Sequence, residues 1–219
     1  MSARTFSFGV LAACLASACD PRGVSLGTEQ LCVADPELVV AAMESTEAVS
    51  TCARIGKNQL VDPGFETPPV TAACQNGNFC QFPATEVESW QTSSAIQVIE
   101  IWHDGHMGVP APAGNQFAEL NATSPDTLWQ DLALSPGQLM YWSFLHRGRN
   151  GIESVELRLG PVDAEVSQGV FSSAEDAWYP YSGLYRVGDD ELLTRFALVS
   201  RTGAAEGNLI DSVVFAPVN

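Results

Sequence analysis

The chain has 219 residues, 46% hydrophobic and only 16% charged, and its 10 Lys and Arg face 26 Asp and Glu for a formal net charge of -16. That length fits one large β-domain, or an ordinary domain plus a short extra segment. The acidity argues against nucleic acid and other anionic polymers, because phosphate binding needs a basic surface; neutral glycans, cations such as calcium, and proteins remain open as partners.

Residues 1–18 read as an export signal. Arg4 precedes a short apolar run and then small residues, and the run is far shorter than the roughly 20 residues of a membrane span. Two cysteines close it. Leu11-Ala12-Ala13-Cys14 and the Ala-Ser-Ala-Cys ending at Cys19 both resemble a lipobox, whose cysteine carries lipid. Cys19 is preferred, because it leaves a longer apolar core and is followed by the turn-forming Asp20-Pro21. Cys14, and simple secretion by a cut after Ala16-Ser17-Ala18, stay open. The expected location is the cell envelope or surface through this anchor, otherwise the exterior. With Cys19 lipidated, Cys32, Cys52, Cys74 and Cys80 remain. An even set in an exported chain suggests two disulfides. Spacing favours Cys32 with Cys52 and Cys74 with Cys80, although three pairings are possible.

Residues 19–55 form a tether with one short helix. Over 35–52, Asp35 can cap, Pro36 suits the first turn and Glu37 favours the helix dipole. Leu38, Val39, Ala42 and Met43 supply the apolar stripe.

From residue 56 to 219 the pattern is β. Short alternating runs are punctuated by Gly, Pro, Asn and Asp, and they predict strands at 58–62, 86–91, 96–102, 116–121, 127–134, 138–147, 153–160, 182–188, 192–201 and 208–216. Strands with no helix between them imply an all-β, two-sheet antiparallel sandwich preceded by the N-terminal helix. In 138–147, Met140, Trp142, Phe144 and His146 point one way, as core. Leu139, Tyr141, Ser143, Leu145 and Arg147 point outward.

The blocks NQLVDPGFETP, SPGQLMYWSFLHRGR and TRFALVSRTGAAEGNLIDSVVF resemble, in order, the galactose-binding-like jelly rolls, and most of all the bacterial carbohydrate-binding-module-like domains of the CenC type. The resemblance covers about residues 56 to 218. It implies a jelly roll with a structural calcium where the first strand meets the last. Glu66 in DPGFE and Asp211 in IDSV match the side-chain ligands, and backbone carbonyls would complete a mixed oxygen set. Ser212 stands where the family has a second aspartate, and Asp62-Pro63 where it has Asn-Gly.

Catalysis finds little support. His103 and His106 lie three apart in a Gly-rich loop, without the helix that holds both rings of H-E-x-x-H on one face. No G-x-S-x-G elbow occurs. Glu119, Asp131 and Glu156 are hydrolase candidates by residue type alone and read equally well as strand surface. Carbohydrate binding fits better. Aromatic rings stack on sugar faces, while amide, carboxylate and guanidinium groups meet hydroxyls. Phe117, Glu119 and Asn121 share one strand face, and Trp102, Trp129, Tyr141, Arg147 and Arg149 come from neighbouring segments. The loop HDGHMGVPAPAGN, stiffened by Pro110 and Pro112, would form a rim. Against this, Trp90 and Trp142 are expected in the core, and the arginines of HRGR could instead pair with Glu119 or Glu156. The expectation is a non-catalytic module that binds glycan on a sheet face. The alternatives are an adhesion or structural module that contacts protein, and then a glycan hydrolase or esterase.

Overall fold

A computed structural model describes residues 54–87, 89–201 and 206–219. The signal segment, the helix over 35–52, and Cys14, Cys19, Cys32 and Cys52 lie outside the described residues. The strands belong to one compact unit, Lys57–Val218. They are β1 (Phe79–Pro83), β2 (Gln91–Thr92), β3 (Val98–His103), β4 (Gln116–Glu119), β5 (Thr127–Leu132), β6 (Leu139–Arg147), β7 (Glu153–Pro161), β8 (Val166–Ser173), β9 (Tyr179–Arg186), β10 (Thr194–Ser200) and β11 (Leu209–Pro217). One sheet has the order β1-β3-β4-β11-β6-β9 and the other β2-β5-β10-β7-β8. The pairings are antiparallel. The architecture is the expected two-sheet jelly-roll sandwich.

Alternation explains how the sheets face each other. Along β6, Met140, Trp142, Phe144 and His146 are buried, and the residues between them are half-buried. Their inner faces meet Leu157 of β7 and Phe196 and Leu198 of β10 in one apolar core. Trp90 and Trp142 belong to it, 0% and 4% exposed, as expected. Each such side chain contributes about 1.5–3 kcal/mol by leaving water.

Where strand bounds depart from expectation, the causes are local. The segment 58–62 is no strand. Asn58 donates to the Val213 carbonyl and accepts from Phe215 N–H, and Gln59 N–H donates to the Phe215 carbonyl, which fixes the segment along β11, while Gln130 of β5 bonds both main-chain groups of Val61. Among the described residues of 86–91, only Gln91 joins a strand, because Ala84–Glu86 form a single 3-10 turn. Strand β1 is unforeseen because its sequence, FCQFP, lacks alternation; the Cys74–Cys80 disulfide and the pairing to β3 hold it. That disulfide is one of the two favoured pairs. Strand β8 is unforeseen because it is a sheet edge, largely exposed, with no buried apolar stripe to imprint a pattern.

A bulge in β11 connects the start of the domain to its last strand. The register shifts between Asp211 and Val214, with Ser212 at φ 52. The extra residue lets Val213 N–H reach the Pro63 carbonyl, and so joins the 62–66 turn to β11.

Candidate functional site

The outer face of the six-stranded sheet holds most of the predicted site residues, but not as an open surface. Registers align Phe79, Trp102 and Phe117 in one row, and Gln81, Glu100, Glu119, Leu209 and Arg147 in the next. The loop expected as a rim folds over these rows. Its Val109 is buried against Trp102, Phe117 and Leu209, Trp178 Nε1–H donates to the Pro110 carbonyl at 2.8 Å, and the His106 ring lies 4.3 Å from that of Trp102. Trp102 is 1% exposed and Phe117 fully covered. His103 and His106 therefore do different things. His103 bonds the neighbouring Asp104 carbonyl, whereas His106 packs on an indole. Burial, with Arg149 nearby, lowers the His106 pKa. Among the described residues no three His, Cys, Asp or Glu side chains converge as metal ligands.

Glu119 and Arg149 form a buried pair. Arg149 Nη1 donates to both Glu119 oxygens, at 3.0 and 3.1 Å, and its guanidinium lies 4.9 Å from the Trp102 ring centroid. Glu119 also accepts Gly207 N–H. Burial and then the facing Glu100 raise the Glu119 pKa, against a weaker opposing pull from Arg149. Glu100 in turn accepts from Trp102 Nε1 and Gln81 Nε2, each at 2.7 Å. These groups bond one another beneath a covering loop, with Arg149 Nε buried and without a hydrogen-bond partner, so this is a structural cluster of the kind that removal of one partner disrupts.

Asn121, also predicted at the site, is fully buried and accepts from the Asn208 amide. That amide belongs to a polar knot. His146 Nε2 lies 2.8 Å from Asn208 Oδ1, and Nδ1 lies 2.8 Å from Ser173 Oγ. Burial lowers the His146 pKa to about 4. Tyr141 and Arg147 stay half-buried on the outer face of β6, as the alternation required.

Glu66 and Asp211 are brought together around Gly64, where an added Cβ would lie 3.7 Å from Asp211 Oδ1 and 3.9 Å from Glu66 Cγ. Glu66 Oε1 accepts Asn115 and Gln116 N–H. Asp211 accepts from Ala113 and Ser212 N–H. Burial, with the Glu66 charge adding to it, raises the Asp211 pKa to about 7. The donor set is all hard oxygen, and two acids share one partly buried place. This chemistry fits calcium if carbonyls supply the other ligands.

Trp129 lies elsewhere, on the outer face of the five-stranded sheet. Registers place Gln91, Trp129, Ala197 and Arg158 in one row across four strands. A depression of about 250 Å³ opens there, lined by Ser93, Thr127, Trp129, Arg158, Glu165, Arg195, Ala197 and Val199. The Arg195 guanidinium lies 5.0 Å from the Trp129 ring centroid. Asp131 fixes it through two bonds, of 2.7 and 2.8 Å. Arg158 donates to Glu156 at 3.2 Å and to the Glu165 carbonyl at 2.6 Å. The predicted binding residues are thus divided between two faces, with Trp129 alone at the open one. Arg158, Arg195 and Ala197 were not foreseen. The alternation of TRFALVS does put Arg195, Ala197 and Val199 on one outward face, but sequence does not say which strands flank it.

No protein-family model and no curated protein matches the chain. Several solved structures are similar. The family 61 module TmCBM61, in complex with β-1,4-galactotriose, is 15% identical with a TM-score of 0.49, covering 73% of this chain and 98% of that one. The Clostridium thermocellum endo-1,4-β-D-xylanase 10B modules CBM22-1 and GH10, complexed with xylohexaose, are 13% identical with a TM-score of 0.49 and cover 74% of this chain, which spans only 28% of theirs. A xylan-binding domain from CBM22 is 14% identical with a TM-score of 0.46, covering 72% of this chain and 97% of that one.

Proposed function

We propose that this chain is a non-catalytic module that binds carbohydrate on the outer face of the five-stranded sheet. One observation carries the reading: a half-buried Trp129 lies in an open depression beside Ser93, Thr127, Arg158 and Glu165. The Arg195 guanidinium covers one face of this indole, so a pyranose would lay its C–H side on the other, and hydroxyl, guanidinium and carboxylate groups match sugar hydroxyls as donors and acceptors. Capture is noncovalent. The test is a glycan array of residues 54–219 with the Trp129→Ala and Tyr141→Ala variants. Loss of binding in the first and retention in the second support the site. A folded wild-type protein that binds nothing refutes it.

Two further parts belong to the proposal. A structural calcium would be held by Glu66 and Asp211, with backbone carbonyls, and would supply charge neutralisation where two acids meet. Export with a lipid on Cys19 would tether the module to the cell envelope. That part rests on the N-terminal sequence, and mass spectrometry of the membrane-extracted protein tests it.

A further inference from the structure

We propose that Met107 is a peroxide-sensitive modification site: oxidation of its thioether to the sulfoxide gives Arg149 a new acceptor and tightens the 104–115 loop over Trp102. The loop covers the six-stranded sheet, so the site does not depend on sugar binding at Trp129 of the other sheet.

Two observations single out Met107. It is 62% exposed, whereas Met140, the other described methionine, is fully covered in the core. It also holds a left-handed backbone, φ 52 and ψ 24, a conformation that strains a residue with a Cβ. An exposed apolar side chain in a strained turn gains little from burial, so packing does not account for it. Its flanks leave it open: chain neighbours aside, Gly105 and Gly108 have no heavy atom within 4 Å of where a Cβ would stand. Its sulfur faces a cation, with Arg149 Nη2 at 3.8 Å.

The reaction needs only hydrogen peroxide. A lone pair on the Met107 sulfur attacks one peroxide oxygen, and the O–O bond breaks. The departing hydroxide takes the proton of the sulfur-bound hydroxyl, which leaves the sulfoxide and one water. Sulfur loses two electrons and the peroxide gains them.

The product changes what Arg149 can hold. A thioether sulfur is a weak acceptor, whereas a sulfoxide is polar and carries an oxygen that accepts well. An oxygen added on the Arg149 side of the sulfur comes within hydrogen-bond reach of Nη2, about 2.7–3.2 Å. Glu119 is held by the other nitrogen, Nη1, so the new bond does not compete with that pair. Glu206 lies 3.6 Å from Nη2 with a side chain 56% exposed, and screening by water weakens its claim. The oxidised loop tip is then tied through one guanidinium to Glu119 and to the Trp102 ring. Because Met107 is exposed, making it polar forfeits little burial.

The experiment is a hydrogen-peroxide titration of the full chain, read by peptide mass spectrometry and by amide hydrogen exchange. The Gly105, Gly108 and Val109 amides are bonded within the loop and report its opening. Met107 is expected to gain one oxygen before Met140 does, and those three amides are then expected to exchange about threefold to tenfold more slowly. Methionine sulfoxide reductase is expected to restore the original rates. Met107→Leu is expected to abolish the response, and Met107→Gln, which carries an amide oxygen, to slow exchange without peroxide. Oxidation of Met140 as early as Met107 in the folded protein overturns the proposal. So does a Met107 sulfoxide whose loop exchanges at the unmodified rate or faster, or a response that persists in Met107→Leu.

Discussion

Arg149 closes over Glu119, donating from one nitrogen to both carboxylate oxygens at 3.0 and 3.1 Å, with the Arg149 side chain 17% exposed and that of Glu119 fully covered. The same guanidinium stacks on Trp102, so one residue ties the β6–β7 turn to the packed face of the six-stranded sheet. Replacing it with methionine keeps much of the apolar stem and leaves two acids, Glu119 and Glu100, facing each other. Breaking such a buried pair costs about 3–5 kcal/mol.

The cost of Arg149→Met depends on pH. Burial and Glu100 already hold the Glu119 carboxyl above its ordinary value of 4.5 in the fold. Without Arg149 it rises further. The native state then binds more protons than the unfolded chain, so stability falls as pH increases through that range. Urea unfolding should show the variant losing more stability at about pH 8 than at about pH 5. A variant that loses the same amount at both would contradict the buried-acid account.

His146 runs the other way. Its folded pKa, about 4, lies below the 6.5 of the free side chain because burial disfavours the charged ring. The unfolded chain binds the proton more readily, so this stability is present above pH 6.5 and is lost as pH falls toward 4. The shift corresponds to about 3 kcal/mol. His146→Gln should weaken the protein near neutrality, since Ser173 and Asn208 lose well-placed partners. It should also flatten the acid limb of a denaturation-against-pH profile. Parallel profiles for the two proteins would count against a neutral buried imidazole.

These two residues also show what could be read from the sequence and what could not. His146 falls on the inner face of β6 by alternation alone, and the inward set Met140, Trp142, Phe144 and His146 is legible because every second residue is large and apolar or aromatic. The same rule puts Tyr141 and Arg147 outside. It cannot say which sheet a strand joins, because that depends on pairings between distant segments. Trp129 and Trp102 therefore read as neighbours, whereas β5 and β3 lie in different sheets. Nor does alternation report coverage. Trp102 is on the outer face of its sheet, and Val109 and His106 of the 104–115 loop, with the Arg149 guanidinium from the β6–β7 turn, bury it there. Glu66 and Asp211, far apart in the chain, were paired by the family resemblance of their flanking motifs rather than by any local pattern.

Asp131 acts on the proposed site through Arg195. Its two bonds hold the guanidinium over Trp129, and Asp131 itself does not line the depression. Asp131→Asn keeps shape and removes the charge. An exposed-to-partly-buried cation–π contact is worth about 0.5–2 kcal/mol, so losing its orientation should weaken sugar binding several-fold and shift the Trp129 fluorescence in the ligand-free protein. Unchanged fluorescence and unchanged affinity would mean that Arg195 is positioned by Glu165 and the neighbouring strands instead.

Calcium gives the remaining test, and it separates the structural ion from the sugar site. Glu66 and Asp211 converge at the junction of the 62–66 turn with the β11 bulge, and the same carboxylates accept N–H groups from Ala113, Asn115 and Gln116. An ion there would hold the first segment, the loop and the last strand together. A ligand at a hundred times its Kd stabilises the fold by about 2.7 kcal/mol, so calcium should raise the Tm by several degrees and a chelator should reverse it. Asp211→Asn should remove that response. Because the depression lies on the other sheet, calcium-loaded and chelated protein should bind sugar with similar affinity at temperatures where both are folded. A Tm indifferent to calcium would remove the ion from the proposal and leave the Trp129 site standing.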